Sequence, residues 1–177
     1  MKILLGDPRH NTVGTHSYFT PIGIGYIGSN ILEQFKKDNI ELKLCTNPKE
    51  IFDLLKNWKP DIVGISNYIW NSYLANLICK QAKKIKSNTL CILGGPEFPA
   101  GTGQRKIENA SLDNTYDKCL KYLIDRPSVD YFVWTDGEPT FVEIIKKFKE
   151  HKFSVRSLKE KDEPIKGCVS LSLNKKK

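Results

Sequence analysis

The 177-residue chain has only three histidines and five cysteines, and neither set is arranged to bind a metal. Cys45, Cys79, Cys91, Cys119 and Cys168 are scattered and odd in number, with no C-x-x-C pair and no histidine at ligand spacing. A thiolate zinc site is therefore excluded, and a disulfide framework is not expected. Long hydrophobic runs are absent too. After Met1 and Lys2 only the short stretch Ile3 to Gly6 is apolar, too little for the core of a signal peptide and far too little for a membrane span. Cytoplasmic residence with no membrane partner is the expectation. No internal repeat or low-complexity segment occurs, and no nucleophile stands beside a base in a pattern that would suggest acyl or phosphoryl transfer.

What is present reads as an ordinary globular chain, 40% hydrophobic and 27% charged, long enough to bury one substantial core. The formal charge of +8 is spread over residues such as Lys36, Lys37, Lys83, Lys84, Lys146, Lys147 and Lys149. These fall late in predicted helices, where cations complement the helix dipole. A nucleic-acid partner is not expected.

Five short β-rich runs alternate with amphipathic helical patterns, which predicts an α/β fold with a parallel sheet and helices on both faces. The strands are predicted at Lys2–Gly6, Ile40–Cys45, Asp61–Ser66, Leu90–Leu93 and Asp130–Trp134. Thr20 and Pro21 suit the cap and first position of the helix carrying Ile24, Ile27, Ile31, Leu32 and Phe35, which runs to about Asn39. Asn47 caps a second helix with Glu50 three residues on, and Pro60 stops it. The arrangement is that of a flavodoxin-like (Rossmann-like), doubly wound, five-stranded sheet in the order 2-1-3-4-5. Residues 1–150 form the domain, and 151–177 read as a linker or the start of a further region, with Gly167 to Leu173 available as an edge strand.

In such a sheet ligands bind beyond the carboxyl ends of the strands, where the strand order reverses. The unusual residues gather there: the segment Asp7 to Thr20, the run Ser66-Asn67-Tyr68-Ile69-Trp70-Asn71, and Gly94-Gly95-Pro96-Glu97. They offer hydroxyls, amides, bare glycine backbone and aromatic rings, a mixture suited to a bulky ligand with a flat apolar body. Tyr68 and Trp70 suit either that role or burial beneath a loop. Gly23-Ile24-Gly25-Tyr26-Ile27-Gly28 matches the dinucleotide fingerprint G-x-G-x-x-G in letters only, because it lies inside a helix rather than in the turn after a strand.

Several of these pieces resemble the cobalamin-binding domain of B12-dependent radical SAM proteins. Thr20-Pro21-Ile22-Gly23-Ile24-Gly25-Tyr26 is similar to that family's P-x-G-x-x-Y helix entry, and Lys59-Pro60-Asp61-Ile62-Val63-Gly64-Ile65-Ser66 to its "kPDvVGiS" strand. Gly94-Gly95-Pro96 is similar to its "GGP" turn, and Asp130-Tyr131-Phe132-Val133 with Gly137-Glu138-Pro139-Thr140 to its "vDyvv…GE.t" segment. The resemblance covers about residues 1–150. It implies cobalamin lying across the carboxyl edge of the sheet with its nucleotide tail beside the first, third and fourth strands. Ser66 would meet the tail, and Gly94 and Gly95 would leave room for it. His10, Asn11, Thr12, Gly14, Tyr18, Phe19, Pro21, Gly23 and Gly25 would border the corrin, whose amides Asn67 and Asn71 would meet. Tyr68, Trp70, Pro96, Glu97, Gly137 and Glu138 complete the expected site. Methionine synthase-type domains place a cobalt-binding histidine in D-x-H-x-x-G; here Asp7-Pro8-Arg9-His10 carries one extra residue, so no metal ligand is assigned. The resemblance further implies a radical SAM domain, in cis or in trans, holding S-adenosylmethionine and a 4Fe-4S cluster. No C-x-x-x-C-x-x-C motif for such a cluster occurs in the present sequence.

Overall fold

The computed structural model describes residues 1–9, 20–99 and 112–173, with the backbone alone for 112–116. In chain order the elements are β1 (Lys2–Gly6), α1 (Ile22–Gln34), β2 (Glu41–Cys45), α2 (Pro48–Asn57), β3 (Ile62–Ser66) and α3 (Ser72–Ile85). They continue with β4 (Leu90–Gly94), α4 (Leu112–Ile124), β5 (Tyr131–Val133), α5 (Gly137–Glu150), α6 (Val155–Lys161) and β6 (Cys168–Val169). The chain is an α/β protein built on one sheet.

That sheet has six strands in the order β2-β1-β3-β4-β5-β6. The pairs β1–β2, β1–β3, β3–β4 and β4–β5 are parallel, and β6 pairs antiparallel with β5. The expected five-stranded, all-parallel sheet is thus corrected to a mixed six-stranded one. The physical reason is the turn at Gly167, whose φ of +87° reverses the chain so that Cys168 and Val169 run back along the edge left by β5.

Alternating side chains of the buried strands feed two cores. Ile3, Leu5, Ile62, Ile92, Tyr131 and Val133 face α1, α5 and α6, while Leu4, Val63, Ile65, Cys91, Leu93 and Phe132 face α2, α3 and α4. The stretch expected to be a linker joins the first of these cores: Val155, Leu158 and Ile165 are buried in it. Ser154 caps α6 by accepting from the Ser157 N–H at 3.2 Å.

At the amino ends of the strands two aspartates do the same job. Asp61 accepts the Lys2 N–H at 2.7 Å and pairs with Lys86 Nζ at 2.5 Å. Asp130 accepts the Cys91 N–H at 2.8 Å and pairs with Lys83 Nζ at 2.6 Å. Each thus ties a neighbouring strand to the last turns of α3, where cations also suit the helix dipole.

The start of α1 departs from expectation. The helix begins at Ile22, and Pro21 is its cap, with φ −76° and ψ 66° and no side-chain hydrogen bond. Proline fixes the entry angle, and the Pro21 carbonyl accepts the Gly25 N–H at 3.1 Å, so the Thr20 hydroxyl is not needed. No helix among the described residues is long and apolar enough to cross a membrane.

Candidate functional site

Parallel strands all end on the same side, and here the ends of β1, β3, β4 and β5 open onto a cavity of about 220 Å³. Leu5, Ile65, Ile92, Leu93 and Val133 of the strands form its floor, with Ile24 and Ile27 of α1 and Phe141 of α5 as its walls. Ser66, Tyr68, Gly94, Gly95, Thr135, Gly137 and Glu138 line the remainder. The interior is therefore mainly apolar, with a few polar groups contributed by the loops. This is the crevice between β1 and β3, where the strand order reverses.

Two glycines give the cavity its shape. A Cβ on Gly64 would lie 2.8 Å from both Leu5 Cδ2 and the Phe141 ring, so its absence lets α5 settle against the sheet. A Cβ on Gly23 would meet nothing within 4 Å, so the first turn of α1 leaves open space beside the cavity.

Ser66 Oγ donates to Asp7 Oδ1 at 2.6 Å, and Asp7 Oδ2 accepts from Arg9 Nη2 at 2.9 Å. A carboxylate paired with arginine can only accept, so the serine proton is committed to Asp7 and its oxygen lone pairs face any ligand. Asp7 opens the segment expected at the crevice but was not among the individual site residues expected. Only its place directly after the first strand could have flagged it.

The expected site residues divide into groups. Ser66, Tyr68, Gly94, Gly95, Gly23, Gly137 and Glu138 come together at the cavity. Trp70 stacks on Tyr68 with ring centroids 4.6 Å apart and stands 61% exposed, which settles it as a surface ring rather than a core one. Its neighbours Ile69 and Tyr73 are exposed as well, as are Ile22 and Tyr26 of α1. Pro21 and Gly25 lie on the same helix entry, outside the cavity lining, and a Cβ on Gly25 would be unobstructed. His10, Asn11, Thr12, Gly14, Tyr18 and Phe19 lie outside the described residues.

Asn67 and Asn71 are turned to structural use. Asn67 is fully buried, and its Nδ2 donates to the Glu97 carbonyl and the Tyr122 hydroxyl, each at 2.8 Å. Asn71 Oδ1 accepts the Tyr68 N–H at 2.8 Å, and its Nδ2 donates to the Pro8 carbonyl at 3.2 Å. Both amides donate to the loops they brace, although Asn67 Oδ1 is buried without a partner among the described residues. Gly95 also has a role the sequence does not reveal. Its φ is +136°, and a Cβ there would fall 2.5 Å from the Asn67 carbonyl oxygen, so the bare backbone lets the two loops touch. Glu97 completes that contact by donating its N–H to the same carbonyl at 3.2 Å, while Pro96 is exposed at the turn.

The residues that sequence reasoning missed are the apolar walls: Ile24, Ile27, Gly64 and Phe141. Their signal was present in α1, which is apolar on nearly every face although it lies at the surface of the sheet. Among the described residues no cluster of histidine, cysteine or acidic side chains could hold a metal ion.

The fold and site define an α/β protein with a ligand-sized crevice at the carboxyl edge of its sheet. Comparison with known sequences adds one relative, an uncharacterized methyltransferase of Pyrococcus horikoshii, 29% identical over 151 residues. The match takes in 82% of this chain but spans only 29% of the relative's length. No protein-family model matches. A solved structure described as a GDSL-like lipase from Parabacteroides merdae aligns over 86% of this chain and 85% of its own, at 13% identity and a TM-score of 0.39, too low to bear on fold or function.

Proposed function

We propose that the chain is a cobalamin-binding module, the N-terminal part of a B12-dependent radical SAM enzyme, of flavodoxin-like topology. The observation that carries the reading is the cavity at the ends of β1, β3, β4 and β5, apolar within and bordered by Ser66, Gly94 and Gly137. An engineered cavity of roughly 150 Å³ holds a benzene molecule. About 220 Å³ therefore accommodates a flat bicyclic base of the kind that ends cobalamin's nucleotide tail. The exposed rings of Trp70, Tyr73 and Tyr26 would lie around the larger corrin above it. The residues present thus fit the group.

Ser66 would meet the polar edge of the tail, Ile24, Ile27 and Phe141 would sandwich its apolar base, and Glu138 would stand at the rim. Bound cobalamin supplies methyl-carrier chemistry at its cobalt, while the protein holds and orients it and keeps water away. The name of the Pyrococcus horikoshii relative agrees with methyl transfer. A partner domain, in cis or in trans, would bring S-adenosylmethionine and the 4Fe-4S cluster.

Titration with hydroxocobalamin, followed by its visible spectrum, tests the reading. Saturable binding is expected, weakened at least about tenfold in Gly23→Leu, since a side chain there narrows the crevice. The melting temperature of that variant should hold or rise, because leucine favours a helix over glycine by roughly 0.8 kcal/mol. Absence of saturable binding in the parent protein, or a flavin spectrum in its place, overturns the proposal.

A further inference from the structure

A second cavity, of about 290 Å³, lies at the opposite end of the sheet, between the α3–β4 turn, the α4–β5 turn and α6. Ser87, Asn88, Asp130, Arg156 and Lys159 provide its polar lining, and Pro127, Val155 and Leu173 its apolar side. Charges of both signs meet there, with Asp130 and Asp162 as well as Lys83 acting on Lys159. The Asp130 carboxylate is spent on Lys83 and on the Cys91 N–H, both through Oδ2. Arg156 pairs with Glu160 at 2.7 Å on the helix surface. Lys159 forms no ion pair among the described residues, and its Nζ donates only to the Asp130 main-chain carbonyl at 3.3 Å.

The Lys159 ammonium thus has two donors to spare and lines the cavity beside a second cation, Arg156. Burial pulls the Lys159 pKa below its usual range, nearby Asp130 opposes this, and Lys83 adds to it. A bound oxyanion would supply acceptors for the unused Lys159 donors.

We propose that this cavity binds a small organic anion, a phosphate or carboxylate head held by Lys159 and Arg156 with its short apolar body against Pro127, Val155 and Leu173. The size exceeds what a bare oxyanion fills, and the side away from Lys159 is hydrocarbon, which favours an organic ligand over a free inorganic ion. The site is independent of the carboxyl-edge crevice, so neither reading rests on the other.

Titration of the full chain with phenyl phosphate, benzoate and inorganic phosphate, followed by amide chemical shifts, tests the proposal. At least one organic anion should bind saturably in the millimolar range or tighter, more tightly than inorganic phosphate, moving the Asn88, Arg156 and Lys159 signals but not those of Gly94 or Gly137. Lys159→Gln should weaken it by about tenfold, Lys159→Arg should retain most of it, and Arg156→Gln should have an intermediate effect. Saturation by none of the probes, inorganic phosphate binding as well as the organic anions, or unchanged affinity in a folded Lys159→Gln protein overturns it.

Discussion

The two ends of the sheet are built on different principles. At the amino ends, Asp61 and Asp130 each lock a strand to α3 through a backbone hydrogen bond and a lysine. At the carboxyl ends one carboxylate, Asp7, links β1 to Ser66 of β3, and the strands open onto an apolar hollow beside which Trp70, stacked on Tyr68, stands exposed. One end spends its polar groups on itself, while the other leaves apolar surface uncovered. Apolar surface of that kind is what a ligand or a partner covers, which is the basis of the binding proposed for the carboxyl end. Lys159, which forms no ion pair among the described residues, is where the amino end breaks its own rule.

The largest way to break this division is Gly95→Val. A ligand-space role for Gly95 would leave stability untouched, but the contact with the Asn67 carbonyl and the φ of +136° make the position structural. Thermal unfolding should show a loss of roughly 3 kcal/mol or more. An unchanged melting temperature would return Gly95 to the ligand. Next comes Asp130→Asn, which removes the Lys83 ion pair but keeps an acceptor for the Cys91 N–H. Because burial already disfavours the Asp130 charge, the loss in urea unfolding should be only about 1 to 2 kcal/mol.

Acid titration sharpens the comparison between the two aspartates. Burial raises the Asp61 pKa, but Lys86 and the Lys2 N–H outweigh it, so its folded pKa is lowered. Its contribution is therefore present above the unfolded value near pH 4 and lost as pH falls through the lower folded value. Burial dominates at Asp130 and raises its folded pKa despite Lys83, so its protonation favours the fold and its ionisation costs stability as pH rises through that higher value. Asp61→Asn should flatten the loss of stability below about pH 4, whereas Asp130→Asn should not. A parallel acid limb in the parent and Asp61→Asn proteins would remove Asp61 from the clamp. The smallest stability effect belongs to Trp70→Ala. Losing an exposed ring stacked on Tyr68 should cost at most about 1 kcal/mol, and under the proposed cobalamin reading should also weaken hydroxocobalamin binding. A large stability loss would mean that the ring serves the fold.

Much of this was legible in the chain. The apolar runs of β1, β3 and β4 and the caps at Asn47 and Pro60 announce themselves because buried parallel strands need continuous hydrocarbon and helices need defined ends. The loops that meet at the crevice could be named from where the strands stop. The sixth strand was harder to place, since Cys168 and Val169 are too short to carry a period and are positioned by Gly167 and by the open edge of β5. Side-chain orientation was hidden as well. Asn67 looks like a ligand contact by type, and only the nearness of Glu97 and Tyr122 in space reveals a brace.

Gly64 has no side chain to hold the sheet and α5 apart. With no atom beyond its Cα, it sets the spacing between two layers, because the Phe141 ring rests where a methyl group would otherwise stand. Position 64 therefore acts as a shim. Alanine there would push α5 outward and alter the width of the slot without changing the polar groups at the rim.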